Sequence, residues 1–332
     1  MPVSAEQRAR LLQAKLTSLV RAHFGTDEIA SGGFPSGATA TAGRRGWVLI
    51  EHATPRSSGG ALMWAARAGL DRLDLLVDGS APTLARLASH IRIPTAVWLV
   101  TGTDLVAVRA EPVAPSPAPI AVDTAVLVDA GLEVVVEAGV IRGEVTGLEV
   151  ARFAGDDGTV LEVGVGRFDR EMAALMYAGL SAEDALARVV AEVRAHRRRG
   201  APLHPLRDMC RERWLRSVVV ADPSLVDAVE LTAVETTLAR ENLRDPWPAM
   251  AAGRDDDGEP LVVVCTYGVD VDLFPLAADT AARLDPTGQA PLVVVAATPL
   301  PEAATAVGGL LDRSVRYVIV PAPWGDPDAA VA

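Results

Sequence analysis

The stretch from Leu73 to Val100, LDLLVDGSAPTLARLASHIRIPTAVWLV, sets the fold class. Leu73 to Val77 is strand-like and of strand length, Gly79 and Pro82 punctuate it, Thr83 to Ile91 spaces its leucines as a helix does, and Ala96 to Val100 is an apolar run. A strand, helix, strand order joined by so short a crossover lays the two strands parallel in one sheet. Upstream, Trp47 to Ile50 is strand-like and Ala61 to Ala68 helix-like, so the segment reads β-α-β-α-β, with 47–50, 73–77 and 96–100 parallel. Thr101-Gly102-Thr103 then turns the chain into a further strand, Leu105 to Val108. At the N-terminus Ser4 and Gln7 form a capping box, Leu11, Leu12, Leu16, Leu19 and Val20 make a helical stripe, and Gly25 supplies a stop. Residues 31–46, rich in Gly, Ser, Thr and Ala, read as loop.

The same order returns near the C-terminus: Leu261 to Cys265 as strand, Phe274 to Leu284 as helix, Leu292 to Ala296 as strand, Pro301 to Leu311 as helix, Val315 to Val320 as strand. The likeness is one of order; no residue-level identity marks a duplication. Between the two lies a region opened by four prolines within 111–119, which can continue neither ladder nor helix. Val122 to Ala130 then reads as helix, Leu132 to Val136, Thr146 to Phe153 and Val160 to Val165 as strands, and a helix capped by Ser181 and Asp184 runs to Gly200. Another helix covers Pro205 to Val219, with Leu206, Met209, Cys210, Trp214 and Val218 on one face. Asn242 to Pro260 shows no periodicity. The expected fold is therefore α/β, with two βαβαβ-type parallel-sheet halves flanking an α-β-β-β-α middle module. The expected boundaries are 1–110, a proline-rich linker 111–121, 122–240, a loop 241–260, and 261–332.

Composition narrows the function classes. The net charge of −12 argues against general adhesion to nucleic acid or anionic membrane, and no run approaches a membrane span or a secretory signal, so the cytoplasm is the expected location. Cys210 and Cys265 are too few and too far apart for a disulfide framework or a thiolate zinc site. Lys15 is the sole lysine among 31 basic residues and sits on the first helix, which removes the Walker A loop, the kinase strand lysine and the Schiff-base enzymes. The arginine and alanine bias reads as the codon usage of a GC-rich bacterial genome. The five histidines are scattered, and neither a Gly-x-Ser-x-Gly elbow nor a glycine-rich dinucleotide fingerprint occurs.

Four places offer polar groups to a ligand. Ser57, Ser58, Gly59 and Gly60 follow the first parallel strand, where backbone amides meet an anion or where a serine simply caps a helix. Asp270 and Asp272 follow the corresponding C-terminal strand, as oxygen ligands for a divalent cation or as a helix cap. Arg194, Arg197, Arg198 and Arg199 end a helix, as a phosphate patch, the one local route to nucleic acid, or as partners of its free carbonyls. The fourth is Glu149 and Glu162, in consecutive strands joined by Gly155-Asp156-Asp157-Gly158. Pairing Phe153 with Val160 sets Ala151 opposite Glu162 and both glutamates on one face, at a spacing where they share a metal; a polar-out, apolar-in hairpin has the same alternation.

The helix, three strands and helix of residues 122–200, with an acid in each of two consecutive strands, resemble the PD-(D/E)XK family, the restriction-endonuclease-like nucleases. The resemblance implies that Glu149 and Glu162 bind a catalytic Mg or Mn ion, with Glu144 or Asp169 as helpers. It also implies a lysine two positions after the second acid; Gly164 stands there, and Arg167 nearby can hold phosphate but cannot serve as a base. Two functions follow as expectations. One is a non-catalytic binding or scaffold protein carrying a degenerate nuclease-like module, open to a protein partner. The other is a divergent metal-dependent phosphodiesterase using Glu149 and Glu162, with Arg167 on phosphate.

Overall fold

The structure, a computed structural model, describes residues 4–155, 158–166, 169–172 and 179–325. It is α/β, with parallel and antiparallel strands in three sheets, and the chain divides into two compact units. No helix among the described residues is long and apolar enough to cross a membrane.

The first unit comprises residues 1–113, 271–279 and 301–314. Its sheet runs in the order β1 (Ala30–Phe34), β2 (Gly37–Ala42), β3 (Arg45–Ile50), β4 (Arg72–Val77), β5 (Thr95–Thr101), β6 (Asp104–Ala107). The three strands expected to be parallel are so, β3 beside β4 and β4 beside β5, with α2 (Ser58–Arg67) and α3 (Ala81–Ala88) as the crossovers. Residues 31–46 are not loop, because they form β1 and β2. Gly37-Ala38-Thr39-Ala40-Thr41-Ala42 is too small and too weakly apolar to register as a strand. That smallness lets α1 (Ala5–Phe24) lie on the sheet, where Leu12, Leu16, Leu19 and Val20 pack on Ala38, Ala40, Trp47 and Leu49. The Ser4–Gln7 capping box and left-handed Gly25 bound α1 as its sequence indicates. The unit is completed by distant chain: α9 (Glu302–Gly308) packs against α2, and Ile91 forms an antiparallel bridge with Leu311.

The second unit comprises residues 114–270, 280–300 and 315–332. One of its sheets is an antiparallel meander in the order β10 (Val160–Val163), β9 (Leu148–Ala154), β8 (Val140–Val145), β7 (Glu133–Glu137). Leu127 of α4 (Ala125–Asp129) and Leu186, Val189, Val190 and Val193 of α5 (Ala182–His196) cover its apolar face. The middle module thus has four strands where three were expected. The extra one, β8, reads Val-Ile-Arg-Gly-Glu-Val, whose glycine and two charges hide it. Its turn into β9 is made by Thr146 and Gly147, both at positive φ. A Cβ on Gly147 would collide with the backbone of Arg213, so only glycine allows that approach.

The expected helix 205–219 is broken into α6 (Pro205–Asp208) and α7 (Arg211–Ala221) by a left-handed Cys210. The carbonyls of Leu206 and Met209 accept hydrogen bonds from the Arg197 guanidinium at 3.0 and 2.8 Å, which holds them out of a continuous helical ladder. The remaining sheet runs β11 (Ala228–Val234), β12 (Ala249–Asp255), β13 (Pro260–Thr266), β14 (Leu292–Ala296), β15 (Val315–Ile319). Reading 242–260 as loop misses β12, whose Ala-Met-Ala-Ala-Gly core lacks β-branched residues. The pairing pattern of the first sheet recurs: β11, β12 and β13 are antiparallel neighbours and β13, β14 and β15 parallel ones, with α8 (Leu273–Leu284) and α9 in the crossovers.

Leu16 is fully buried between α1 and the small side chains of β2. Leu16→Ala is expected to lower stability by about 2–5 kcal/mol in urea unfolding, because neighbouring alanines cannot collapse into the cavity. A loss under about 1 kcal/mol would mean that α1 is not part of the cooperative core.

Candidate functional site

Strand parity brings the charges of the meander to one face. The turn pairs Val160 with Ala154 and Glu162 with Arg152, one residue away from the register expected from sequence. This register places a cation directly opposite Glu162, with Arg152 Nε donating to its carboxylate at 2.8 Å, where the other would oppose it with Ala151. By itself the slip would send Glu149 and Glu162 to opposite faces. A β-bulge cancels it: Ala151 pairs with Gly143 but Glu149 with Glu144, so β9 spends two residues against one of β8 and Glu149 is re-aimed. The two glutamates therefore share a face, as expected, but through a register and a bulge that alternation does not show.

On that face Glu133 pairs with Glu144, and Glu144 with Glu149, so three carboxylates stand in a row across β7, β8 and β9. Like charges directly opposite one another destabilise a sheet unless cations intervene. Here arginines do. Glu144, without solvent exposure, accepts from Arg213 and, at 2.6 Å, from Arg216, both on α7. Burial pulls the Glu144 carboxyl upward, but the two guanidiniums more than reverse this and hold it below the usual range. Glu133 lacks so close a cation; burial raises it, partly offset by a hydrogen bond from Ser217. Glu149, 3% exposed, takes Arg142 on Oε2 and Arg170 on Oε1, the latter at 3.0 Å. Arg170 also lies 3.4 Å from Glu162, so one guanidinium clasps both candidate acids.

These side chains line a cleft of about 800 Å³ whose walls include Glu137, Arg142, Glu149, Arg152, Arg170 and Arg240. Glu137 accepts from Arg213 and lies 3.4 Å from Arg142 and 3.9 Å from Arg240. Asp169, exposed, stands on the rim, whereas Glu144 is sealed under α7. Arg167, with Asp156 and Asp157 of the turn, lies outside the described residues. The sequence reading missed Glu137, Arg142, Arg170, Arg213, Arg216 and Arg240. The Glu-Val-Val-Val-Glu of β7 and the i, i+3 pair Arg213 and Arg216 were the available signals, but alternation and helical spacing alone also describe solvated faces.

The other three candidates are used by the chain itself. In the first unit the Gly59 amide donates to the Asp272 carboxylate at 2.6 Å, and a Cβ on Gly59 would strike the Val271 carbonyl. The helix N-terminus offered to a phosphate thus already has an anion against it. Ser57 Oγ accepts from the Thr54 amide at 3.0 Å, Ser58 is fully buried, and Gly60 lies against the Phe34 ring. In the second unit Asp270 sits near Glu212, and burial first, then the Asp270 charge, pushes the Glu212 carboxyl up to about 7. In the arginine cluster the carbonyl-holding alternative is the one seen, and Arg197 goes further, buried in a cage of the carbonyls of Thr146, Leu206 and Met209, over the Trp214 ring. Burial lowers its pKa to about 10. Arg194 holds the carbonyls of Ala130 and Gly131, Arg198 that of Ala195, and the Arg199 stem lies along Gly325. Helix-end carbonyls and tertiary carbonyls thus engage three of the four cations.

Among the described residues no group of three or more His, Cys, Asp or Glu side chains is placed to hold a metal ion. Comparison with family models, with curated proteins and with solved structures finds no match for this chain.

Glu212 is 6% exposed, and a carboxyl whose folded pKa lies above its unfolded value costs stability once pH rises past the unfolded value of 4.5. The cost grows between pH 4.5 and about 7 and is full above, at about 3 kcal/mol. Glu212→Gln should therefore be the more stable protein at pH 8 and equal to wild type at pH 4 in denaturant titrations. A variant less stable at pH 8 would mean that an ionised Glu212 has a partner it needs.

Proposed function

We propose that this chain is a binding or scaffold protein, and that its middle module keeps a nuclease-like frame without phosphodiester chemistry. The observation that carries this reading is the state of Glu149, whose two carboxylate oxygens are each held by a guanidinium in a nearly solvent-free position. A divalent cation on Glu149 would have to displace Arg142 or Arg170 from it, leaving the one to Glu137 alone or the other to Glu162 alone, and would set a further positive charge among the guanidiniums of a poorly solvated face. Glu162 is likewise engaged by Arg152 and Arg170. The residues present therefore do not fit a Mg or Mn centre, and Gly164, at the position where the family resemblance calls for a lysine, has no group to orient water. A reducing, cytoplasmic setting belongs to the same reading, supported by two free cysteines.

The test is thermal unfolding with Mg or Mn, alongside a nuclease assay. The melting temperature of the wild type should ignore both ions, with no cleavage of a phosphodiester substrate. A stabilisation near 2.7 kcal/mol at about 100 times the dissociation constant, abolished in Glu149→Gln, would overturn the reading in favour of a metal-dependent phosphodiesterase.

A further inference from the structure

We infer that the cleft beside Glu149 takes the phosphate group of a small phosphorylated molecule, with Arg152, Arg170 and Arg240 as its donors. The inference rests on the binding-protein reading and names the ligand class of that same site. A cleft of about 800 Å³ is within the range that accepts a whole small ligand.

The donors are counted from the contacts. A guanidinium carries five N–H groups and accepts nothing. Arg240 is only 7% exposed on its side chain, yet its one hydrogen bond is from Nη1 to the Cys210 sulfur, at 3.1 Å. Its nearest carboxylate, Glu137, is 3.9 Å away and already shared with Arg213 and Arg142. Nε and Nη2 of Arg240 therefore hydrogen-bond no described residue. Arg152 commits only Nε, to Glu162, and leaves both terminal nitrogens unbonded among the described residues. A cation this deep without a close counterion is costly. Burial, and next the Arg213 charge, pull Arg240 below its ordinary pKa; burial does the same to Arg170, against the upward pull of Glu149 and with Arg152 adding to it.

The carboxylates in the cleft fit this picture as holders of the arginines. Glu149 faces Nη1 of Arg170 and Glu162 its Nε, so the guanidinium is held from two sides while Nη2 stays uncommitted among the described residues. The rim argues for a small ligand over a nucleic acid. Asp169, Glu241 and Asp245 line the cleft, and the chain carries a net charge of −12, so an extended polyanion is repelled where a single phosphate entering the cleft is not.

The full-length protein is titrated with inorganic phosphate, pyrophosphate, ADP and glucose 6-phosphate, with citrate and with sodium chloride at matched ionic strength. Binding is read by calorimetry and by thermal unfolding. At least one phosphate compound should give a saturable rise in melting temperature that chloride does not, and comparison of ADP with glucose 6-phosphate separates a nucleotide from a sugar phosphate. Arg240→Ala and Arg152→Ala should each weaken binding by about tenfold or more, while Arg10→Ala on α1 leaves it within about twofold. Circular dichroism checks folding. If Arg240→Ala does not fold, Arg152→Ala, at a half-exposed position, decides alone. The inference is overturned by folded protein that no phosphate compound saturates, by variants that bind as wild type does, or by citrate binding more tightly than every phosphate compound. Those results leave the binding-protein reading standing, whereas its own failure appears separately as metal-dependent stabilisation lost in Glu149→Gln.

Discussion

The carboxylate of Glu144, sealed from solvent and gripped by Arg213 and Arg216, is the contact on which the second unit depends. Two guanidiniums on one buried carboxylate repay its desolvation only while both stay in place, and loss of one partner strands a charge in a low-dielectric interior. The same helix, α7, turns Trp214, Leu215 and Val219 the other way, into the core of the five-stranded sheet. One short helix thus joins an ionic face to an apolar one. Burial raises no difficulty for Arg213 itself, since Glu144 and Glu137 hold its pKa above the ordinary value against the effect of desolvation.

That constraint passes to the cleft through the sheet. Three glutamates in a row would force β7, β8 and β9 apart, so the face can exist only with arginines drawn from elsewhere in the chain. Arg213 and Arg216 arrive from α7, Arg142 from the sheet, Arg170 from beyond β10, Arg240 from the segment after β11. The bulge in β9 is part of the same arrangement, because it turns Glu149 toward Arg142 and Arg170 instead of into the apolar core beneath α5. Carboxylates that a sequence pattern offers as metal ligands become the parts that orient cations. The chemistry on offer to a ligand is then that of the guanidiniums left over.

Turn geometry ties these pieces together. Arg197 closes α5 and hydrogen-bonds the Thr146 carbonyl and hydroxyl, while Gly147 admits the backbone of α7 at the same turn. A buried arginine is tolerable here because three backbone carbonyls and an indole face take the place of a counterion. This cage also ends α6 before α7 begins, so one side chain fixes the β8–β9 turn, the end of α5 and the break at Cys210.

The sequence by itself determined the α/β class, the three parallel strands of the first sheet and their counterparts near the C-terminus, because apolar runs, helical stripes and caps are local signals. It determined that Glu149 and Glu162 are the acids of neighbouring strands, and that a single lysine excludes whole classes of chemistry. It did not show β1, β2, β8, β11 or β12, most of which are built of glycines, alanines and charges that carry no strand periodicity until a sheet edge supplies hydrogen-bond partners. Nor did it show which cation meets which acid. Arg142 is seven residues from Glu149 and Arg170 is 21, whereas Arg213 is 69 residues from Glu144, and such pairs are set by a one-residue register and a bulge. Only the tertiary structure decided those, because electrostatic pairing depends on distance in space, and spacing along the chain does not encode it.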